Sequence, residues 1–426
     1  MSTGLYLFRK DLRLADNPLL SLACSECTSL ILLVIMDPTH WADPQLGHSR
    51  MSFRRQRFVL EAIQDLALSI EQLGGKLTVR IGTSLEVLSE LVAKNDVQRI
   101  YLEELPGTQE EDEKRTIEVF CADKNIQCIS RWQRTLIRIE DLPMHWSKLP
   151  RVFTAFRIAV EKTWKIWPLV DISKWPTILH QESDPFPIHL EQNVPFDRRA
   201  SMNFIGGSKA GKERIGYYCS DPLLLGQYKE TRNGLVGADY SSKLSPWLAW
   251  GCISSNEILA SVLIYESKFG ANSSSYWLKF ELLWRDFFQF TAKLYGKRIF
   301  MRSGFGETRR VGWAHNERDF EKWCAGSTGQ EFIDACMREL VASGFMSNRG
   351  RQNAASYLVH DLMVDWRLGA RFFEYHLLDY DVASNWCNWA YIAGVGNDPR
   401  AGRKFNIDKQ ATDYDSEHTF RNLWKQ

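Results

Sequence analysis

The chain has 426 residues, which is enough for two or three domains, and its 44% hydrophobic and 25% charged residues are typical of soluble globular proteins. Nine cysteines do not indicate a disulfide framework, and the sequence contains neither a signal-peptide pattern nor 18 uninterrupted apolar residues. These features argue against a secreted disulfide-rich module and against a membrane-spanning protein, and we expect a cytoplasmic, reducing location.

The net charge of +1 conceals an asymmetry along the chain. Residues 1–130 sum to −5 and residues 131–426 sum to +6. Part of the positive charge is concentrated in KRIFMRSGFGETRR, residues 297–310, which carries five basic residues against one acid. Such a stretch is either a solvated loop or a rim that faces phosphate groups, and its composition leaves both open.

The first 130 residues alternate between strand-like and helical patterns. Continuous Val, Ile and Leu runs separated by helices are typical of a parallel sheet that is covered on both faces. We therefore predict a Rossmann-like α/β domain, although the GxGxxG dinucleotide motif is missing after the first strand. The predicted strands are 4–8, 30–36, 76–81, 99–104 and 126–130, and the clearest helices are 50–73 and 84–94.

Two further regions follow this domain. Residues 131–204 are rich in proline and weak in periodicity, which predicts a linker. From about residue 205 apolar residues recur at three and four positions, as in WLKFELLWRDFFQFTAKLY, which predicts helices. The predicted layout is thus an α/β domain over 1–130, a linker over 131–204 and an all-α domain over 205–426.

Two short motifs resemble ligand sites but are interpreted as structural. Residues 206–212 have the glycine and lysine spacing of a phosphate-binding P-loop, but Glu213 stands where Ser or Thr should hold magnesium, and no buried strand precedes the motif. The CSEC motif at 24–27 lacks the second ligand pair that zinc requires. We therefore predict neither a P-loop nor a metal site.

Polar side chains recur at core-facing positions of three predicted helices in the second half. In LLDYDVASNWCNWAY, which begins at Leu377, Asp381, Asn385 and Trp389 are spaced by four residues and share one helix face. Buried polar groups need partners, so these residues either satisfy one another or bind a large planar polar ligand. The other two helices present Trp277, Glu281 and Arg285, and Asn348, Arg351 and Gln352.

The stretch YSSKLSP, residues 240–246, offers serine hydroxyls and a lysine just ahead of an apolar helix. Serines at a helix N-terminus either cap the helix or, with its unpaired N–H groups, bind phosphate. A phosphate site beside amide, carboxylate and aromatic walls indicates a nucleotide-type cofactor.

Six segments carry a resemblance to a known family. The sequence is similar to the cryptochrome/photolyase family over nearly its full length, and most similar to the DASH-type cryptochromes. The matching segments are FRKDLRLADNPLL (8–20), YSSKLSPWLAWGCIS (240–254), ELLWRDFFQF (281–290), GFMSNRGRQNAASYL (344–358), DWRLGARFFE (365–374) and LDYDVASNWCNWAYIAGVGNDPR (378–400).

The resemblance implies a non-covalent FAD inside the helical domain. In the family pattern Asp379 pairs with Arg351 and, together with Asp381, contacts the flavin ring edge. Asn385 faces the redox-active nitrogen, where an amide hydrogen-bonds without offering a titratable proton. The residues that the resemblance assigns to FAD are Tyr228, Ser241, Ser242, Lys243, Leu244, Ser245, Trp277, Arg285, Asn348, Arg351, Asp379, Asp381 and Asn385.

The resemblance also implies light-driven repair of cyclobutane pyrimidine dimers. Trp389, Trp366 and Trp313 match an electron-transfer chain from the flavin to the surface. Gln352 and Tyr391 depart from the Met and Trp of classical repair enzymes, which favours single-stranded DNA, where a dimer leaves the stack most easily. The residues assigned to the dimer and to DNA are Glu281, Trp284, Gln352, Tyr391, Arg349 and Arg403, with Arg400, Lys404 and 297–310 expected to meet phosphates.

The α/β domain of this family often holds methenyltetrahydrofolate as an antenna. The segment YLEELPGTQEEDE, residues 101–113, stands where DASH-type proteins show a His-Arg-Glu-like stretch. Glu103 or Glu104 is expected to contact the folate, and the register of the segment does not choose between them.

The alternative to repair is a blue-light photoreceptor that regulates a partner and repairs little. The chain ends at Gln426, soon after the helical core, and the expected lack of a signalling tail favours repair. A flavin redox protein indifferent to light would leave Glu281, Trp284 and Gln352 without a role. We expect a monomer that binds DNA and has no obligate protein partner.

Overall fold

The computed structural model of the chain describes residues 2–43, 48–185, 195–306, 312–313, 316–398 and 402–425. Its strands are β1 (Thr3–Phe8), β2 (Ser29–Met36), β3 (Ala42–Asp43), β4 (His48–Ser49), β5 (Thr78–Ile81), β6 (Val97–Glu103), β7 (Gln127–Arg131) and β8 (Thr177–Ile178). Six of them form a parallel sheet of order β5-β2-β1-β6-β7, in which β8 pairs with β2. The predicted parallel sheet is confirmed.

Alternate residues of the central strands point into two different hydrophobic clusters. Leu5 and Leu7 of β1 belong to a cluster that is confined to the α/β region. Tyr6 and Phe8 belong to a larger cluster that continues into the helical region. Because both faces are buried, the strands are apolar at nearly every position, which is the pattern the sequence shows.

The helices of the α/β region are α1 (Pro18–Glu26), α2 (Pro38–Trp41), α3 (Phe53–Glu71), α4 (Ser84–Lys94) and α5 (Thr108–Asp123). Helix α4 has the bounds that the sequence predicts, because Thr83 and Glu86 form a reciprocal capping box at its first turn. Helix α3 is also capped, since the Ser52 hydroxyl accepts a hydrogen bond from the Arg55 N–H.

The segment over 131–204 does more than connect the two domains. It contains helix α6 (Phe153–Thr163), which the sequence did not lead us to predict, and it contributes β8 to the sheet. Phe156 of α6 is fully buried and packs against Phe287 at 5.4 Å between ring centroids. The segment therefore belongs to both cores.

The second half of the chain is helical. Trp247, Trp323 and Trp366 are among its largest fully buried side chains, so much of the aromatic content serves packing. The helices are α7 (Ser208–Ser220), α8 (Tyr228–Thr231), α9 (Ser245–Ala249), α10 (Ser255–Phe269), α11 (Ser273–Tyr295), α12 (Glu317–Ala325), α13 (Glu331–Ser343), α14 (Asn348–Ser356), α15 (Trp366–His376), α16 (Val382–Ala393), α17 (Ile407–Tyr414) and α18 (Thr419–Leu423).

The glycine-rich motif at the start of α7 clamps the two domains together. Gly206 N donates to Glu61 Oε2 at 2.8 Å, and Ser208 N donates to Asp65 Oδ2 at 2.7 Å, both acids lying on α3. A Cβ on Gly206 would lie 1.9 Å from the Phe58 carbonyl oxygen, so only glycine fits. The amides that a P-loop would offer to phosphate are occupied by carboxylates.

Helices long and apolar enough to cross a bilayer are absent from the described ranges. The same ranges contain no group of three or more His, Cys, Asp or Glu side chains placed to hold a metal ion. Cys24 and Cys27 of the CSEC motif are buried free thiols, as expected of structural cysteines.

Candidate functional site

The loop ahead of α9 is held in place by an arginine from a different helix. Arg214 of α7 donates from Nε to the Ser242 carbonyl oxygen at 2.9 Å and from Nη2 to the Ala238 carbonyl oxygen at 2.8 Å. Because Arg214 binds these backbone carbonyls, the loop has a defined conformation before any ligand arrives. Ser242 and Leu244 are buried, whereas Ser245, at the first position of α9, is exposed.

Lys243 lies inside this loop with an unusual backbone and no polar partner. Its φ of 53° is left-handed, and the residue is 3% exposed. The Nζ atom has no hydrogen-bond partner in the described part of the chain. Burial lowers the pKa of Lys243, and Glu339 of α13 opposes that fall. The Nζ atom lies 3.0 Å from the centroid of the Tyr240 ring, and a buried lysine that lacks a bonded acid fits a site whose ligand brings a negative charge.

Asp379 is the second polar group with spare bonding capacity. Its Oδ2 accepts a hydrogen bond from Arg351 Nη2 at 2.9 Å, as the sequence predicts for this pair. Its Oδ1 is buried and has no partner among the described residues. The Arg351 side chain is a quarter exposed, and its Nε donates to the Met346 carbonyl oxygen. The segment just ahead of α14 therefore orients the pair, and Asp379 still has an acceptor oxygen to offer.

Asp381 has no such spare oxygen. It caps α16, since its Oδ1 accepts from Ser384 N at 2.8 Å and from Gln289 Nε2 at 2.6 Å. Its Oδ2 accepts from Arg134 Nη2 at 2.7 Å. Burial alone would raise the pKa of Asp381, but Arg134 and Arg285 lower it to about 2. A flavin contact at this position would have to use the backbone.

The remaining residues assigned to FAD lie on several elements. Asn385 of α16 is 8% exposed and donates to the Ala370 carbonyl oxygen at 3.0 Å. Arg285 of α11 donates to the Arg134 carbonyl oxygen at 2.6 Å, so its guanidinium faces the boundary between the domains. Tyr228 is buried on α8, Trp277 is half-buried on α11, and Asn348 is exposed at the start of α14.

The residues present fit an FAD. The exposed Ser245, the Lys243 Nζ without a hydrogen-bond acceptor and the unpartnered Oδ1 of Asp379 supply the donors and the acceptor that a diphosphate and a flavin ring edge require. Lys243 Nζ and Asp379 Oδ1 have no hydrogen-bond partner among the described residues, whereas both carboxylate oxygens of the neighbouring Asp381 are bonded.

Helix α15 is shared by two of the three tryptophans assigned to electron transfer: it begins with Trp366, and Trp389 packs against it. The Trp389 ring packs so tightly on α15 that a Cβ at Gly369 would lie 2.2 Å from it. Trp366 begins the same helix one turn earlier, and its Nε1 donates to the Arg302 carbonyl oxygen. Arg302 in turn donates to the Trp313 carbonyl oxygen. All three rings are buried, and Trp313, expected nearest the surface, is only 6% exposed.

The residues assigned to the dimer begin with Glu281 on α11. Arg232 Nη1 donates to Glu281 Oε1 at 2.6 Å, and Trp277 Nε1 donates to the same oxygen at 3.1 Å. The Glu281 side chain is 30% exposed, so a ligand can reach it. Burial raises the pKa of Glu281, and Arg232 opposes the rise.

Trp284 and Tyr391 form an aromatic corner. Their ring centroids lie 6.0 Å apart at 77°, so the ring planes are nearly perpendicular. Phe153 of α6 stacks on Trp284 at 3.7 Å, which supports the indole from the linker side. The Tyr391 hydroxyl accepts a hydrogen bond from Arg403 Nη2, and Arg403 Nε pairs with Asp398 Oδ2 at 2.8 Å.

Gln352 and Arg349 lie together on α14. Arg349 Nη1 donates to Gln352 Oε1 at 3.3 Å, and its Nη2 donates to Asn233 Oδ1 at 3.0 Å. Asn233 directly follows Arg232, the partner of Glu281. Two consecutive residues therefore tie the α11 and α14 parts of the predicted dimer site to each other.

The basic stretch is described only in part. Lys297, Arg298 and Arg302 are exposed, whereas residues 307–310 and Arg400 lie outside the described residues. Lys404 is exposed and pairs with Asp361 at 2.7 Å. The described members thus present positive charge at the surface.

The structure distinguishes the two glutamates considered for an antenna. Glu103 is fully buried, and neither carboxylate oxygen has a partner in the described residues; burial raises its pKa to about 8. Glu104 accepts from Lys293 Nζ at 2.9 Å. Lys293 in turn lies over the rings of Trp132 and Trp146, at 4.8 and 5.3 Å. Glu104 therefore belongs to a partly exposed groove of carboxylate, ammonium and indoles, and Glu103 does not.

Several supporting residues were missed by the sequence reasoning. Arg134, Gln289, Arg214, Arg232 and Phe153 each act on a predicted site residue across a long separation in sequence. Only the apolar spacing of Phe153, Phe156 and Val160 was visible as a local signal, for helix α6.

Comparisons with known proteins agree with this geometry. The family models that match describe DNA photolyase, over residues 4–177, and the FAD binding domain of DNA photolyase, over residues 277–425. Cryptochrome DASH of Xenopus laevis is 41% identical over 98% of this chain and 81% of its own length.

Solved structures show the same relationship. The cryptochrome of Synechocystis sp. PCC6803 has a TM-score of 0.95 and 40% identity, covering 100% of this chain and 88% of that one. An archaeal photolyase from Sulfolobus tokodaii, described with two FAD molecules, has a TM-score of 0.82 and 28% identity, covering 100% of this chain and 90% of that one. The chain therefore belongs to the cryptochrome/photolyase family, carries its FAD-binding domain, and is similar to the DASH-type cryptochromes.

Proposed function

We propose that this protein repairs cyclobutane pyrimidine dimers, mainly in single-stranded DNA, by blue-light-driven electron transfer from reduced FAD. The observation that carries the proposal is the contact between Trp284 and Tyr391. Helices α11 and α16, which provide these two rings, also provide Arg285, Asn385 and Trp389 of the predicted flavin wall and relay. One pair of helices thus serves both the cofactor and the lesion.

FAD, when bound and reduced, supplies the electron that opens the dimer and takes it back afterwards. The chain's own residues position the lesion. Glu281 is held by Arg232 and Trp277, so its carboxyl group meets the exposed N–H and C=O edges of the bases in a fixed orientation. Because the protein holds this group in place, little ordering is required when the dimer arrives.

The aromatic corner provides the surface for the splayed bases. Stacking on aromatic side chains is tolerant of sequence and contributes about 1–3 kcal/mol per base. Phe153 supports the Trp284 ring from one side, which leaves a rigid platform rather than a mobile side chain.

Positive side chains around the site meet the DNA backbone. Arg349 and Arg403 are each oriented by neighbouring side chains, and Lys297, Arg298 and Lys404 are exposed. Contacts of this kind add affinity without sequence specificity and weaken with salt. At position 352 the chain presents an amide bonded to Arg349 and not an apolar side chain that could wedge a duplex open. This favours binding of a strand that is already unpaired.

The decisive experiment is illumination of the reduced, FAD-loaded protein with a dimer-containing oligonucleotide in single-stranded and duplex form. We expect loss of the dimer in the single strand and a slower loss in the duplex. Glu281→Ala should lower repair while FAD stays bound, and Glu213→Ala on the exposed face of α7 should not. If no dimer is lost in either form while flavin photoreduction is intact, the proposal fails and a regulatory photoreceptor is favoured.

The tryptophan relay has its own test. Trp389→Phe should slow photoreduction of bound flavin sharply, because Phe is much harder to oxidise than Trp. The change conserves an aromatic ring against Gly369, so folding should be retained. Unchanged photoreduction would remove Trp389 from the relay.

For the antenna we propose methenyltetrahydrofolate in the groove of Glu104 and Lys293. The carboxylate suits the amino-bearing pterin ring, the half-buried indole of Trp146 suits its flat face, and the ammonium suits the acidic tail. Purified protein should then show an absorption band to the blue of flavin that is lost on denaturation. A pure flavin spectrum after folate addition would contradict the assignment.

A further inference from the structure

A deep cleft separates the α/β region from the helical region. Its volume is about 910 Å³, and it opens where β1 and β2 end, beside Phe8 and Met36. The helical side of the cleft is lined by Glu374, Tyr380 and Trp386, among others. None of these three was assigned a role by the sequence, and all three connect to the predicted electron relay.

Trp386 joins the relay to the cleft. Its ring centroid lies 5.8 Å from that of Trp366, with the rings nearly perpendicular. The Trp386 Nε1 donates to the Tyr380 hydroxyl oxygen at 3.2 Å. Both side chains are buried, at 6% and 5% exposed, so the path runs through packed protein and ends at the cleft wall. Rings in van der Waals contact allow an electron vacancy to move from one to the next.

Glu374 lines the same cleft as Tyr380 and is the candidate acceptor for its proton. Because the hydroxyl oxygen accepts from Trp386, its own hydrogen is available to another acceptor. After burial, the nearby Glu374 carboxylate is the largest cause of the raised pKa of Tyr380, and contact with Tyr380 lowers the pKa of Glu374 against the effect of burial. The other charged groups that act on this pair are Glu110, Lys10 and Arg55. The Arg55 guanidinium lies 4.6 Å from the Tyr380 ring centroid.

We propose that Trp386 and Tyr380 form a second branch of the electron relay, which leads from Trp366 to the cleft and ends with Glu374 as proton acceptor. The proposal rests on the light-driven electron transfer proposed above. When Trp389 has given one electron to light-excited oxidised flavin, Trp366 and then Trp386 refill the vacancy in turn. Tyr380 then gives one electron to Trp386 and its phenolic proton to the Glu374 carboxylate.

This last step replaces a positively charged tryptophan radical by a neutral tyrosyl radical and a neutral carboxylic acid. Electrons and protons balance, since Tyr380 loses one of each, Trp386 gains the electron and Glu374 gains the proton. A small soluble thiol entering the cleft then returns one hydrogen atom to Tyr380 and leaves as a thiyl radical. Tyr380 is as buried as Trp313, but it lines the cleft, which gives a small molecule an approach to the end of the branch.

The test is flash excitation of protein loaded with oxidised FAD, followed by electron paramagnetic resonance of the radicals. We expect a tyrosyl signal that changes line shape in protein made with ring-deuterated tyrosine. Tyr380→Phe and Trp386→Phe should each abolish it, and Glu374→Gln should reduce its yield and prolong the tryptophan signal. Tyr375→Phe is the matched control, because Tyr375 lines the same cleft without contacting Trp386 in the described structure, and it should retain the signal.

A second readout does not depend on the radical. The light-minus-dark infrared spectrum should gain the carbonyl band of a protonated carboxylic acid, and Glu374→Gln should remove it. FAD content and circular dichroism of each variant check that it is folded and loaded. A tyrosyl signal that persists in Tyr380→Phe, or tryptophan radicals of normal yield with no tyrosyl radical in the wild type, would overturn the branch alone. The absence of every radical would instead refute the relay of the proposed function.

Discussion

Two aspartates that stand two residues apart, Asp379 and Asp381, differ in how fully their carboxylate oxygens are hydrogen-bonded. Asp381 uses both carboxylate oxygens on protein partners, Arg134 among them, and joins the linker to the helical domain. Asp379 uses one oxygen on the partly exposed Arg351 and keeps the other without a partner in the described structure. An acid whose bonds are complete serves the fold, and an acid with a spare oxygen is available to a ligand.

The two acids at the end of β6 differ in burial and not in spare bonding capacity, since Glu103 is fully buried without a bonded partner in the described residues and Glu104 is partly exposed. Glu103 points into the boundary between the domains, where Arg134 and Arg9 lower its pKa against burial. Glu104, the next residue, faces the groove with Lys293. We call Glu103, Arg134 and Asp381 the domain seam. Of the two adjacent acids, Glu103 belongs to this seam and Glu104 belongs to a predicted ligand site. The following variants test that division.

Asp381→Asn should have the largest effect. Removing the charge leaves Arg134 buried without its acid, and breaking a buried pair costs about 3–5 kcal/mol of the free energy of unfolding. Asn is also a good helix cap, so loss of the cap is not the cause. The measurement is urea unfolding of the FAD-free protein. Asp365→Asn, which changes the capping aspartate of α15 at a more exposed pair, should cost about 1 kcal/mol or less.

Asp379→Asn should affect cofactor binding more than folding. A hydrogen bond to a charged group contributes about 1.5–3 kcal/mol, so we expect FAD affinity to fall by roughly one to two orders of magnitude. Titration of FAD-free protein, followed by flavin fluorescence, measures the Kd. If the Kd is unchanged while urea stability collapses, Asp379 belongs to the seam and the division is wrong.

Glu103→Gln should change the pH dependence of stability. Burial raises the pKa of Glu103 from 4.5 to about 8, so the folded protein holds this proton more tightly than the unfolded chain. The stabilising contribution is complete below pH 4.5 and is lost as the pH rises through 8, with a slope of up to about 1.4 kcal/mol per pH unit. Glu103→Gln should lack this slope and exceed the wild type in stability above pH 8.

The adjacent variant is the control for that experiment. Glu104→Gln retains Glu103 and should therefore retain the slope. Urea unfolding at a series of pH values measures both, and identical profiles for wild type and Glu103→Gln would contradict the seam assignment.

Glu104→Gln should have the smallest effect, on folate alone. Loss of one hydrogen-bonded charge in a partly exposed groove costs about 1 kcal/mol, which is about a fivefold weaker retention of methenyltetrahydrofolate. Equilibrium dialysis with the folate measures it. Glu118→Gln, at a 42% exposed side chain of α5, is the control and should bind folate as the wild type does. Equal affinity in all three proteins would move the antenna elsewhere.

The sequence predicted what depends on local pattern. The buried strands are uninterrupted apolar runs, and helix α4 carries its own capping box, so both were found nearly to the residue. The spacing of Asp381, Asn385 and Trp389 correctly placed them on or at the start of one helix. The pairing of Arg351 with Asp379, which the resemblance implies, is present in the structure.

The parts that could not be predicted depend on contacts distant in sequence. Nothing near Asp381 indicates that Arg134, 247 residues earlier, will bind its second oxygen. The fate of Glu103 and Glu104 likewise depends on which face of β6 meets the helical domain. Local pattern therefore identifies candidate residues, and only the tertiary fold decides which of them keep a hydrogen-bonding group for a ligand.

The clamp between α3 and α7 bears on how the molecule can be divided. Glu61 and Asp65 of the first domain accept hydrogen bonds from backbone N–H groups at the start of α7, which belongs to the second domain. A helical fragment excised at residue 205 would begin with unpaired N–H groups at α7, and an isolated α/β fragment would carry two stranded acids. Both truncation in the laboratory and recombination in evolution would therefore break stabilising hydrogen bonds, because these bonds cross the domain boundary that the sequence suggests.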